Sequence, residues 1–314
     1  MITREQLSIP AGPPRHEDEE RLRHDHLRWL TDTGLLAENQ AHRFVRTSRI
    51  TELISLMAPR GLYPEIVYVT NTAAWHLLVR ELFEAPDGLR LTEHTEFVRT
   101  LVASIDARTP PTTQWHTAAI LCTTALTASK SPEWARRHKH HWRTFLVNCL
   151  EDARPEPPRA DFADCLRRRR IPVGTAVIDS AEALGRYELP QHIAGLPELE
   201  RFRLVTTDMC VLARDLLRLD RELTNAHNAV VAYRTQHCLD WSDAQTQVLA
   251  IYHRRRRELH ELTARIPYLP AVAGQPLTDQ VTLRTYLHDL WQVTHGFAAA
   301  HLINHRHWTP FHTR

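Results

Sequence analysis

The sequence is short of the residues that turn and staple small folds. Among 314 residues there are 9 glycines and 5 cysteines. No Asn-Gly or Gly-Gly pair stands between alternating segments, so tight two-residue hairpins are not expected. The cysteines, at 122, 149, 165, 210 and 238, are odd in number, widely spaced and without a CxxC pair. This argues against a disulfide framework or a zinc ribbon and sets the expectation of a reduced, cytoplasmic setting. No apolar run reaches the ~18–20 residues of a membrane span. The opening MITREQLSIPAGPPRHEDEE lacks an apolar signal stretch, so no secretory leader is expected. An excess of one charge is missing too: 39 Lys and Arg stand against 37 Asp and Glu, a net +2. That balance supplies no strong field for a polyanion, and nucleic acid is not expected as a partner.

What remains points to helices. Hydrophobic residues are 43% of the chain, which suits a sizeable core. Residues 1–15 read as a flexible N-terminal arm, and 16–314 as one α-domain. Helical pattern runs from Asp18 to near Gly34. Ile50, Leu53, Ile54 and Met57 then repeat at i, i+3, i+4 and i+7, one buried stripe stopped by Pro59 and Gly61. After Pro64 an apolar run from Ile66 to Phe83 has the length of a buried helix, ending before Pro86-Asp87-Gly88. Further helices are expected over 92–106, 113–129, Glu133–Asp152, Phe162–Arg170 and Thr175–Tyr187, the last two separated by Pro172 and Gly174. A long helix over Leu199–Asn225 carries Leu212, Leu216, Leu219 and Leu223 on one stripe. Ser242–Arg265 and Leu283–Asn304 complete an all-α chain without a 20–50-residue repeat.

The polar clusters each have two readings. Arg214, Asp215, Arg218 and Glu222 fall on one side of the long helix. They are either a solvated face of weak i,i+4 pairs or a functional group of charges. Arg80, Glu81 and Glu84 close the apolar run of the fourth helical stretch. They either mark its emergence into water or project carboxylates into a cavity. Arg167–Arg170 is a basic helix end, favourable for the helix dipole, or a clamp whose guanidinium forks suit phosphate oxygens. Arg254–Arg257 reads as a solvated face with Glu258 and Glu261. His138, His140 and His141, or His305, His307 and His312, could ligate a metal. No HExxH is present, and scattered solvent-facing imidazoles are the simpler reading.

In order, these pieces resemble the bacterial class I terpene synthases (terpene cyclases), across about residues 18–314. Trp29 with Gly34-Leu35 resembles the family's first helix. Tyr63-Pro64 precedes the helix that carries DDxxD in the family, where this chain has Arg80-Glu81-Leu82-Phe83-Glu84. RRRRIPVG resembles the RRxxxG segment, placing Arg170 at the diphosphate-sensing arginine and Val173-Gly174 at the helix break beside the substrate. Arg214-Asp-Leu-Leu-Arg-Leu-Asp-Arg-Glu222 stands where NDxxSxxxE belongs, with His227-Asn228 after it. Trp308 to Arg314 resembles the family's closing W…RY without the final Tyr.

The resemblance implies a single α-helical bundle around a central apolar cavity. It also implies a carbon–oxygen lyase of bacterial secondary metabolism, in which three Mg²⁺ bind a prenyl diphosphate and trigger its ionisation. Homodimers are common among such proteins, and a homodimer is one expectation here. The substitutions change the chemistry. Mg²⁺ takes oxygen ligands in octahedral geometry, and an arginine supplies none. Glu81, Glu84, Asp215 and Glu222 are the remaining metal-ligand candidates, for Mg²⁺ expected to be weak or reduced in number.

Three outcomes stay open. In the first, Arg80, Arg214 and Arg218 replace the metal as diphosphate binders, with Arg170, Arg221 and Arg314 around them, since guanidinium stabilises a departing anion as a cation does. In the second, the arginines pair with the carboxylates and the protein cyclises or rearranges a preformed terpenoid, independent of metal. In the third, it only binds a hydrophobic ligand or a protein partner. Catalytic candidates are Arg170, Gly174, Arg214, Asp215, Arg218 and Glu222. Substrate-binding candidates are Arg80, Trp75, Val173, Arg221, Asn228, Trp308 and Arg314, with Trp291 and Phe297 as further candidate lining rings that could stabilise a carbocation.

Overall fold

The computed structural model describes residues 2–84, 91–153 and 161–304. Among them every regular element is helical: α1 (Glu19–Asp32), α2 (Glu38–Ser48), α3 (Ile50–Met57), α4 (Glu65–Glu84), α5 (Leu91–Ile105), α6 (Gln114–Thr127) and α7 (Pro132–Asp152). Then come α8 (Phe162–Leu184), α9 (Gln191–Ala194), α10 (Pro197–Leu217), α11 (Ala229–His237), α12 (Trp241–Arg265), α13 (Pro270–Ala273) and α14 (Leu277–Asn304). The starts follow from capping chemistry. Thr113 Oγ1, Ser131 Oγ and Asp240 Oδ1 accept from the backbone N–H of His116, Trp134 and Asp243, satisfying first-turn donors of α6, α7 and α12. Pro132 sits at the first turn of α7, where its missing N–H costs nothing.

The structure departs from the sequence expectations at four places. The opening residues, expected as a loose arm, are packed: Ile2, Leu7 and Ile9 are buried, and Tyr252 Oη donates to the Leu7 carbonyl at 3.2 Å. Apolar side chains at 2, 7 and 9 outweigh the proline signal there. A helix over Glu38–Ser48, unanticipated because its pattern is broken by His42 and Arg43, follows α1. The interruption expected at Pro172 and Gly174 is absent, and α8 runs through both. Proline removes one ladder hydrogen bond. Ion pairs from Arg169 and Arg170 to α10 hold the helix before it, and buried Val177, Ile178 and Ala181 hold the helix after it. Finally, the expected long helix over Leu199–Asn225 ends at Leu217. Arg218 N–H closes it on the Arg214 carbonyl at 3.0 Å, and a short 3₁₀ turn, Leu219–Arg221, follows. Leu223 does not extend the buried stripe; it is 45% exposed and offers no anchor for another turn.

The described residues form two compact units. One comprises 2–14, 161–182 and 187–304; the other comprises 15–84, 91–153 and 183–186. In the first, α10 packs against α11, α12 and α14. In the second, α4 packs against α1, α3 and α6. Its core joins Trp75, His76, Trp142 and Phe145, with the Trp75 and Trp142 ring centroids 4.7 Å apart and His76 4.4 Å from Phe145.

A buried histidine in the second unit ties stability to pH. His26 of α1 is wholly buried, and its Nδ1 lies 2.7 Å from Asn71 Oδ1 of α4, which requires Nδ1–H to donate. Burial pulls its pKa down to about 4 against the opposing Asn71 hydrogen bond. The unfolded chain therefore takes up a proton near pH 6.5 that the folded chain refuses until about pH 4. Stability is complete above pH 6.5 and falls as pH drops through that window, by about 3 kcal/mol for this group. Urea unfolding from pH 7 to 4.5 is expected to show this loss, with a smaller slope in His26→Phe. An unchanged slope in that variant would remove His26 as the cause.

Candidate functional site

The group on α10 is built from the apolar core outward. Asp208 and Asp215 lie seven residues, about two turns, apart in a helix whose neighbours Val205, Met209, Val211, Leu212 and Leu216 are buried. Both carboxylates have no solvent exposure, so both require cations. α8 supplies them from consecutive residues. Arg169 Nη2 donates to Asp215 Oδ1 at 2.8 Å. Arg170 grips Asp208 with two hydrogen bonds, Nε to Oδ1 at 2.6 Å and Nη2 to Oδ2 at 3.2 Å. Arg255 of α12 adds a third contact, its Nε 3.0 Å from Asp208 Oδ2. The other two arginines of the run turn elsewhere on α8: Arg167 and Arg168 pair with Asp164 at 2.5 and 3.0 Å.

Around Asp215 the charges interlock. Arg214 Nη1 donates to Asp215 Oδ1 at 2.7 Å and to Glu222 Oε2 at 3.3 Å, while its Nη2 donates to Glu222 Oε1 at 3.0 Å. Asp215 Oδ2 accepts the Ala229 N–H at 2.9 Å, the start of α11. Asn228 caps α11 by accepting from Val230 N–H, and its Nδ2 donates to Glu222 Oε2 at 3.1 Å and to the Asp215 carbonyl at 3.0 Å. Arg218 Nε lies 2.9 Å from Glu222 Oε1. That N–H is not aimed at the oxygen, so the contact is an ion pair rather than a hydrogen bond. Every oxygen of Asp215 and Glu222 thus has a donor or cation in contact.

The electrostatics follow from crowding. Burial pushes the Glu222 carboxyl up, and Arg214, Arg218, Asn228 and Arg169 together more than offset it, holding the pKa at about 2. Burial and the neighbouring Arg214 bring Arg218 down to about 10, still charged at neutral pH. His301 of α14 is pulled well below the ordinary imidazole range by burial and then by Arg214, Arg218 and Arg169, so it is neutral there; its ring lies 4.5 Å from Phe297.

The α4 group is different. Arg80 Nη2 donates to Glu84 Oε1 at 2.6 Å in a pair that is partly open to solvent. Cys149 lies beside it: burial pushes its thiol up to about 12, with Arg80, Asp152 and Glu84 as neighbouring charges. Glu81 is half-buried on the same helix. Arg80, Glu81 and Glu84 belong to the second unit, and the α10 group to the first.

Among the other expected site residues, Trp75 is wholly buried and its Nε1 donates to the Trp115 carbonyl at 3.2 Å. Trp291 packs on His295, with centroids 4.5 Å apart. Val173 is half-buried and Arg221 is exposed. At Gly174 a Cβ would meet Thr207 Cγ2 at 3.6 Å, an ordinary contact, so no close approach there demands glycine. Trp308, Arg314 and His305, His307 and His312 lie outside the described residues.

Two participants, Asp208 and His301, escaped the sequence reading. Two more, Arg169 and Arg255, were distinguished only as members of their arginine runs, the second of which was expected to be a solvated face. Asp208 carried a usable signal, a lone acid inside VTTDMCVLA, since a charge in an apolar helix needs a partner. Arg169 and Arg255 sat inside arginine runs with nothing local to separate them from their neighbours. His301 follows FAAA, and its relation to the α10 arginines exists only in the fold.

Mg²⁺ does not fit the α10 group. The two carboxylates are saturated by donors, and the residues at 214 and 218 offer none of the oxygens that hard cations require. Among the described residues no group of three or more His, Cys, Asp or Glu side chains is arranged to hold a metal ion. No described helix is long and apolar enough to cross a membrane.

The architecture is that of the class I terpene synthases. It superposes on α-eudesmol synthase with a TM-score of 0.84 at 21% identity, covering 94% of this chain and 98% of that one. On the linalool/nerolidol synthase of Streptomyces clavuligerus, solved in complex with 2-fluorogeranyl diphosphate, the TM-score is 0.80 at 20% identity, covering 91% and 99%. The chain belongs to the terpene synthase family: residues 72–258, more than half of it, match the family described as terpene synthase family 2, C-terminal metal binding. It is 23% identical over 301 residues to pristinol synthase of Streptomyces pristinaespiralis, covering 92% of this chain and 81% of that protein. It is 25% identical over 291 residues to isoafricanol synthase of Streptomyces violaceusniger, covering 85% and 74%.

Proposed function

We propose that this protein is a metal-independent terpenoid cyclase or isomerase, acting on an isoprenoid that carries no diphosphate. One observation carries the reading: the Arg214 guanidinium bridges Asp215 and Glu222, with Arg169 and Arg218 completing the set. Three guanidiniums against two carboxylates leave a surplus of one positive charge. A diphosphate ester brings more negative charge than that surplus, and to bind it the arginines would have to abandon buried carboxylates. Arg170, at the position matching the diphosphate sensor, is likewise engaged by Asp208, and Arg80 by Glu84.

Family membership supports an isoprenoid as the ligand. Rearrangement of a preformed terpenoid fits the charge pattern, because it releases no diphosphate for these engaged arginines to receive. Composition is unchanged when a proton taken from water to form the carbocation is returned to water as the product alkene forms. The test supplies C10, C15 and C20 prenyl diphosphates, and the corresponding alcohols and hydrocarbons, with Mg²⁺ or with chelator. Release of inorganic diphosphate is expected in neither condition, and an uncharged isoprenoid is expected to yield isomeric products unaffected by chelator. Mg²⁺-dependent diphosphate release would refute the proposal. Diphosphate turnover that survives chelator and is lost in Arg218→Ala would replace it with a guanidinium clamp.

A further inference from the structure

We infer that Arg214 and Arg218 determine ion specificity at the α10 site: the Arg214 guanidinium is a built-in cation whose presence, with Arg218, closes the site to divalent ions. The inference rests on the metal-independent reading above and deepens it by assigning the exclusion to two residues. Arg214 contacts both carboxylates at once, through two different nitrogens, at 2.7 and 3.0 Å. It therefore bridges the two acids as a bridging ion would, and it is tethered by its own backbone, so it cannot be exchanged. Arg218 closes the open side of Glu222 at 2.9 Å. Each is well shielded, with 18% and 11% of the side chain exposed, so water does little to screen their charges. Burial first keeps His301 neutral, and Arg214, Arg218 and Arg169 push it further the same way; that positive field also opposes a divalent ion.

The scaffold for an oxygen-ligand set is nonetheless intact beneath the guanidiniums. Asp215 is still held by Ala229 N–H, and Glu222 is still drawn in by Asn228. Removing both arginines and installing a carboxamide and a hydroxyl, Arg214→Asn with Arg218→Ser, presents four oxygen-bearing side chains at 214, 215, 218 and 222. Arg169 remains as the structural partner of Asp215.

The experiment counts bound Mn²⁺ by the paramagnetic resonance signal of the free ion, using the wild-type chain, the Arg214→Asn/Arg218→Ser variant and Arg214→Lys. The double variant is expected to bind one ion more than wild type, at least about tenfold more tightly than any binding wild type shows there. Arg214→Lys, which keeps the charge and supplies no oxygen, is expected to gain none. Equal counts in wild type and a natively folded double variant would overturn the inference, as would an additional ion in Arg214→Lys. If the double variant loses its native circular dichroism, the lysine variant decides the question by the same count. Because the readout is ion binding, a protein that fails every isoprenoid assay can still pass this test, and the converse holds.

Discussion

Replacing Asp215 by asparagine is expected to lower the unfolding free energy by about 3–5 kcal/mol, the cost of breaking a buried ion pair from one side. The carboxylate has no solvent exposure and its partner Arg169 only 8%, so water cannot replace the lost charge. Burial pulls Arg169 down and Asp215 and Glu222 more than restore it, which keeps this guanidinium charged in the interior. Without Asp215 the count becomes three guanidiniums around Glu222 alone. Urea unfolding at pH 7 measures the effect. Asp215→Leu combined with Arg169→Met should recover much of the loss, because an apolar pair of similar size leaves no orphaned charge. A loss below about 1 kcal/mol in Asp215→Asn would mean that the cluster is far more hydrated than its burial indicates.

Trp75→Ala is expected to cost a comparable amount, about 3–5 kcal/mol, as for other large buried aromatics truncated to alanine. The ring is wholly buried, packs tilted against Trp142 and edge-on to His76, and satisfies its indole N–H on the Trp115 carbonyl. Truncation removes those contacts and leaves a void lined by Trp142 and His76. Trp75→Phe keeps most of the apolar contact and loses one hydrogen bond, so its cost should be well under half as large. Thermal or urea melts of the two variants decide the matter. A Trp75→Ala protein as stable as wild type would show that the ring is not part of the packed core of its unit and would return it to the role of a ligand-lining aromatic.

The helical class was legible because its signals are local. The stripe of Ile50, Leu53, Ile54 and Met57 became α3 with Ile50, Leu53, Ile54 and Met57 all buried. Thr113, Ser131 and Asp240 act within three residues of themselves. The site was legible in part. Arg214, Asp215 and Glu222 could be picked out by spacing, and they do assemble. Their geometry was misjudged, because Glu222 reaches Arg214 from a turn rather than from a continuous helix. Pro172 and Gly174 were read as a break by local rules, yet ion pairs and burial on either side carry α8 through them.

Taken alone, the order of residues determined the helical class, the resemblance to the family, and the charged groups at Arg80 and at Arg214 and Arg218. Those are properties of residue type and near-neighbour spacing. Tertiary structure decided which charges meet: Arg169 finds Asp215 46 residues away and Arg170 finds Asp208 38 residues away, while Arg167 and Arg168 of the same run pair with Asp164 on their own helix. Four adjacent arginines are chemically identical until a helix distributes them about its axis, roughly 100° apart, and a second helix presents buried acids to two of them.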